Sequence, residues 1–236
     1  MALISFNNLW LEDTIPNIKI DDIQVSPIIY NPIASDRPLS WGRQFVRNKG
    51  STRTVTITFA LQVDDREERE RQLQTVRDWA MTDHEATLVL PHFSDKHLTA
   101  VCTEQPDASY RKWWQNGLRI VFTCYDNPFW TSDNIQQVSC NQEFTIGGSA
   151  PPLVTIERRV LTTLANQSYV CGSQVMQFSQ IPAGNLVIDL NRQTATVSGA
   201  SIMQYFGATG TFIEPVVGAN QIINGTGTIK FRERWV

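Results

Sequence analysis

The clearest pattern in the chain runs over residues 54–63, where Val55, Ile57, Phe59, Leu61 and Val63 take every second position between polar or β-branched neighbours. A period of two gathers alternate side chains on one face, so this segment predicts a half-buried strand. At Asp64 the period changes. Leu73, Val76, Trp79 and Ala80 form one stripe at a spacing of 3.6 residues, which predicts a helix over 64–81. Asp64 is placed to cap that helix, with Glu67 reaching back three positions later in a capping box. Every residue from Asp65 to Arg71 is charged, so only the second half of the helix can be deeply buried. Acid-before-base pairs four apart, Asp65 with Arg69 and Glu67 with Arg71, suit an exposed first half.

Further runs rich in apolar and β-branched residues at 18–29, 86–90, 98–103 and 118–125 predict more strands, separated by turn formers such as Pro91, Pro106-Asp107 and Asn116-Gly117. This part reads as α+β, a largely antiparallel sheet with a single long helix packed against it. Later residues contain no helical stripe. Short β-rich runs at 144–146, 153–156, 174–178, 186–190, 195–198 and 227–232 are spaced as in a β-sandwich, with Asn191-Arg192-Gln193 as a tight hairpin connection. The expected fold class is mainly β with one long helix.

Charge changes where the pattern does. Residues 1–134 carry 14 basic and 18 acidic side chains, whereas residues 135–236 carry 6 and 5, along with ten of the thirteen glycines. Two domains are expected, 1–134 and 135–236, with the boundary in the polar stretch 131–137. A net charge of −3 and a pI near 5.6 argue against the basic footprint of a duplex-wrapping protein. No stretch approaches the ~18 apolar residues of a membrane span. Glu12 and Asp13 stand where the apolar core of a secretory signal would lie, so neither membrane insertion nor secretion is expected. The four cysteines, Cys102, Cys124, Cys140 and Cys171, form no C-x-x-C pair and read as reduced, packed thiols, a Cys102–Cys124 disulfide being the alternative.

Little in the chain speaks for bond-making chemistry. His84, His92 and His97 lie near Asp83 and Asp95, but separations of eight and five residues do not set them on one face of one element, and no metal site is expected. Nucleophile elbows, phosphate loops and dinucleotide fingerprints are absent, and Gly147-Gly148-Ser149 runs into Ala-Pro-Pro, which cannot open a phosphate-cradling helix. The chain reads as a non-enzyme without catalytic residues or cofactor. More suggestive is the stretch 36–49, where Arg37, Arg43, Arg47 and Lys49 are interleaved with Trp41 and Phe45. Arginine and aromatic side chains are enriched in protein interfaces. They can also clamp single-stranded nucleic acid, or simply line a solvated loop. The stretch is long for a connection between strands, which favours a projecting arm.

Taken in order along the chain, these features resemble the distal tail proteins of long-tailed bacteriophages. The resemblance rests on the basic Gly-Arg segment before strand 54–63 and on the Asp-Asp-charged helix after it. It rests too on Phe-Thr-Cys-Tyr-Asp-Asn-Pro-Phe-Trp at 122–130, the hairpin at 185–199 around Ile188-Asp189, and an ending with Gly218-Ala219-Asn220-Gln221 and Gly227-Thr228-Ile229-Lys230-Phe231-Arg232. It implies a first domain that forms a homo-hexameric ring and a second with a galectin-like β-sandwich facing outward. It implies a place in the virion at the tail tip, assembled in the host cytoplasm, between the tail tube protein and the tail hub or tail-associated protein. Receptor-binding or side-fibre proteins are further partners, with DNA only as passing cargo. Trp41, Arg43, Phe45 and Arg47 are then expected at subunit contacts, and Phe129 and Trp130 at the domain junction. A lectin-like module for host-surface carbohydrate is the alternative. The His-x-Asn-x-Arg ligand set of true galectins is missing, since residues 135–236 hold no histidine and only Trp235.

Overall fold

The computed structural model describes residues 4–36, 43–63, 65–106, 118–208 and 210–236. The chain falls into two compact units, Met1–Trp130 and Thr131–Trp235. In the first, two short strands, β1 (Ser5–Phe6) and β2 (Leu9–Trp10), lead into a one-turn helix α1 (Leu11–Thr14). Strands β3 (Ile18–Val25), β4 (Ile29–Asp36) and β5 (Arg43–Leu61) precede the long helix α2 (Arg66–Ala80). After it come β6 (Ala86–Val89), β7 (Lys96–Glu104) and β8 (Leu118–Cys124), and β9 (Trp130–Ser132) runs across the boundary between the units.

Strand β5 is the spine of this unit. Its second half pairs with β3 on one side, from Val55 opposite Val25 to Leu61 opposite Ile18, and with β8 on the other, from Arg53 opposite Cys124 to Phe59 opposite Leu118. From β8 the antiparallel ladder continues through β7 and β6 to β1 and β2. The alternation predicted for this strand is met as far as Leu61, with Val55, Ile57, Phe59 and Leu61 all buried, while Val63 lies past the strand's end and is half-buried. Helix α2 buries the predicted stripe of Leu73, Val76, Trp79 and Ala80, together with Gln72. Trp79 closes the core between Phe6 and Phe122, with ring centroids 5.8 and 6.0 Å away, and its indole N–H donates to the Leu9 carbonyl at 2.9 Å.

Four expectations for this unit are corrected. Asp64 lies outside the described residues, and the cap is Asp65, whose carboxylate accepts the Glu68 N–H at 3.0 Å, so α2 starts at Arg66. Two consecutive aspartates offer alternative caps, and the apolar stripe two turns later does not choose between them. Glu68 also holds Arg71 and Gln72, which makes it, and not Glu67, the partner of Arg71. The strand expected over 18–29 is two strands. It breaks at Ser26-Pro27, because Pro27 has no N–H for the ladder, while Ser26 makes the last bonds to Thr54, donating to its carbonyl at 2.8 Å and accepting its N–H at 2.9 Å. The stretch read as a projecting arm ahead of Thr54 is itself strand where it is described. β5 begins eleven positions before the expected start at Thr54, and its first part pairs with β4 as a hairpin ribbon, from Ile29 opposite Thr52 to Asp36 opposite Arg43.

The second unit contains β10 (Gln136–Ser139), β11 (Glu143–Ile146), β12 (Ala150–Val160), β13 (Leu164–Cys171), β14 (Gln174–Ile181) and β15 (Gly184–Asp189). These are followed by β16 (Thr194–Val197), β17 (Ala200–Ser201), β18 (Gly218–Gln221) and β19 (Thr228–Trp235). One layer has the antiparallel order β17-β16-β15-β12-β19-β10. The other consists of the β13–β14 hairpin and the β11–β18 pair, joined by a bridge between Val170 and Ile223. Their common core sets Ile156, Ile188, Ile229 and Phe231 of the first layer against Phe144, Tyr169, Met176 and Phe178 of the second.

Strands β10, β13 and β18 were not expected, because their polar residues and partial burial leave no alternation to read. β12 also starts earlier than expected, at Ala150 instead of 153, despite Pro151-Pro152. Asn191, from the predicted hairpin turn, supplies the missing ladder: its carboxamide donates to the Pro152 carbonyl at 2.9 Å and accepts the Val154 N–H at 2.8 Å. The turn itself has Asp189 opposite Thr194, with the Asp189 carboxylate accepting the N–H groups of Asn191 and Arg192 at 3.0 Å each.

Candidate assembly surfaces

The ribbon formed by β4 and the first part of β5 carries the predicted contact residues. Trp41 lies outside the described residues. Arg43 stands opposite Asp36, Phe45 opposite Ala34 and Arg47 opposite Ile33. The register shifts between Ile33 and Ala34, which leaves Val46 without an opposite number, so the even spacing of 43, 45 and 47 in sequence is not even in the ladder. β4 pairs only with β5, and β8 meets β5 only from Arg53 onward. Among the described residues the ribbon is therefore two strands wide with both outer edges unpaired. A two-stranded ribbon is marginal on its own, and an unpaired edge is a template for a further strand. At its base Arg53 is buried, opposite Cys124.

The segment that closes the first unit is held by residues that sequence reasoning did not single out. The Glu85 carboxylate accepts the N–H groups of Tyr125 at 2.6 Å and Asp126 at 3.2 Å where the chain leaves β8. Trp130 is buried with its ring 4.5 Å from that of Phe93, while Phe129 is half-buried and donates its N–H to the Asn127 side-chain oxygen at 3.4 Å. Glu85 and Phe93 carry no sequence signal, since each lies in a turn of mixed composition.

In the second unit, the outer face of the main sheet bears two adjoining troughs of about 590 and 400 Å³ that share Glu157 and Lys230. A groove of about 750 Å³ elsewhere on the unit is lined by Glu143, Glu214, Val216 and Ile223 among others.

The groups weighed for chemistry are dispersed. His84 Nδ1 lies 2.5 Å from Asp83, which holds the Asp83 carboxyl below its ordinary range, while His97 is buried in the first unit. Among the described residues no group of three or more His, Cys, Asp or Glu side chains could hold a metal ion. All four cysteines are free thiols. Burial pushes Cys124 up to about 12 and Cys102 up to about 11.

Among solved structures, the Dit protein of phage SPP1, described as a paradigm of the hub adsorption apparatus in phages infecting Gram-positive bacteria, aligns over 100% of both chains with a TM-score of 0.75 and 12% identity. Structures of the phage P2 baseplate in its activated conformation, with Ca and with Sr, align over 100% and 99% of this chain and 98% of each of theirs. Their TM-scores are 0.49 and 0.48, with 9% and 10% identity. No protein-family model and no curated protein matches the sequence. Over its whole length this chain has the fold of the SPP1 protein.

Proposed function

We propose that this chain is a structural subunit of a phage tail tip, a distal tail protein whose copies form a ring between the tail tube and the tail hub and host-adhesion apparatus. The observation that carries this reading is the end-to-end likeness of fold to the SPP1 hub protein. The open-edged ribbon of β4 and β5 supports it. Head-to-tail contacts between identical copies close into a ring when the rotation between neighbours divides the circle, and six copies are proposed here. Such contacts require a surface on each copy that is incomplete alone, and the ribbon is one, with unpaired backbone on both edges and arginine and aromatic residues along its length.

In this reading residues 1–134 build the ring, residues 135–236 form an outward, galectin-like sandwich, and Phe129 and Trp130 anchor the junction. The ring leaves a channel for the genome, and the excess of 18 acidic over 14 basic side chains in residues 1–134 disfavours adhesion of passing DNA. The chain acts by geometry and catalyses nothing. Its partners are further copies of itself, the tail tube protein and the hub, and it resides in the virion.

Replacing Arg43 and Arg47 together by Glu tests the assignment. Ring closure, followed by negative-stain imaging with the tail tube protein present, should be lost, while circular dichroism and the urea midpoint of the single chain stay unchanged. Rings formed as readily by the double variant would refute the placement of these residues at the contact.

A further inference from the structure

The outer face of the second unit's main sheet has a charge pattern of its own, apart from the β4–β5 ribbon. Its troughs are lined by Thr155, Glu157 and Arg159 of β12, Val187 and Asp189 of β15, and Thr228, Lys230 and Arg232 of β19, with Asn185, Gln137 and Arg192 beside them. Both acids on this face are matched: Lys230 Nζ lies 2.7 Å from Glu157, and Arg192 Nε lies 4.0 Å from Asp189. Arg159 and Arg232 make no ion pair or hydrogen bond among the described residues, so two guanidinium groups are left uncompensated. Arg232 stands opposite Leu153, six residues along β12 from Arg159, which sets the two about 20 Å apart at strand rise.

What lies between them selects the ligand. The aromatic anchors that carry most protein interfaces are missing, because the one ring lining the troughs, Phe231, is 3% exposed and packs into the core against Phe144. Single-stranded nucleic acid, which needs stacking platforms, is disfavoured for the same reason. Hydroxyl and amide groups of Thr155, Thr228, Asn185 and Gln137 remain, with the carboxylate of Glu157. These groups exchange hydrogen bonds with hydroxyls, and a free guanidinium takes a carboxylate in a two-bond fork. We infer that this face binds a linear acidic polysaccharide, with Arg159 and Arg232 each holding one of its carboxylates. The inference is independent of the ring, because the whole face belongs to one unit of one copy.

Affinity electrophoresis of the full chain through gels containing polygalacturonate, dextran or polyglutamate tests it. Polygalacturonate should retard the protein, less so as salt is raised, whereas neutral dextran and polyglutamate should not. The double variant Arg159→Glu with Arg232→Glu should lose at least tenfold in affinity while keeping its urea midpoint. The same charge change on the exposed half of α2, Arg66→Glu with Arg71→Glu, should leave binding intact. The inference is overturned by an absence of retardation in polygalacturonate. Equal retardation in polyglutamate, which would mark the face for an acidic protein, also overturns it, as does an equal loss in the helix variant, which would reduce the effect to net charge.

Discussion

At the scale of single residues, Trp79 ties α2 to the sheet. It contributes ring contacts to Phe6 and Phe122 and a hydrogen bond to Leu9. Trp79→Ala should destabilise the chain by about 3–5 kcal/mol, measured by urea unfolding, because a large buried ring is replaced by a cavity. Asp65→Ala removes the N-cap and should cost about 1 kcal/mol. Gly225 faces the ring of Tyr169 so closely that a Cβ would overlap it, and Gly225→Ala should destabilise by about 1–3 kcal/mol through overpacking. The thiols make a pH prediction. Cys124 has its pKa raised from 9.0 to about 12 by burial, so well below pH 9 it is neutral in both folded and unfolded chains. Above pH 9 the unfolded chain releases a proton that the folded chain retains, so stability should fall as pH rises from 9 toward 12. Urea midpoints measured across that range should decline, and the decline should be smaller in Cys124→Ala.

At the scale of elements, legibility followed burial. The run 54–61 was readable because alternate residues from Val55 to Leu61 are buried, and the second half of α2 because its stripe has a core to meet. The first part of β5 was not. Among the described residues it lies in a ribbon with no partner beyond β4, so no alternation was imposed on its sequence. β12 was readable only from Leu153, since its start through Pro151-Pro152 depends on Asn191, 39 positions from Pro152 in sequence. Asn191→Ala should leave that end of the ladder unmade, speeding amide exchange at Val154 and costing about 1–3 kcal/mol through unsatisfied backbone groups. The ribbon gives the complementary expectation: amides of 43–52 on its open edges should exchange fast in the single chain and become protected on assembly.

At the scale of the whole molecule, the mainly β fold with one long helix was legible because local periods and breaks report element types. The layer order was not, since pairings such as β12 with β19 join residues some 75 positions apart. The stretch 36–49 stood out in composition through its arginine and aromatic residues but not as a ribbon, and Glu85 and Phe93, which fasten the end of the first unit, gave no sign. A two-stranded ribbon with open edges faces no core, so it leaves no apolar period in the chain, which is why composition marked the stretch and periodicity did not. The proposal that geometry between like copies is the function is tested most directly by cryo-electron microscopy of the tailed particles produced from the genome that encodes this chain. Copies encircling the central axis at the junction of tail tube and tip are expected. Its absence from the particle, or a solitary copy away from that axis, would contradict the account.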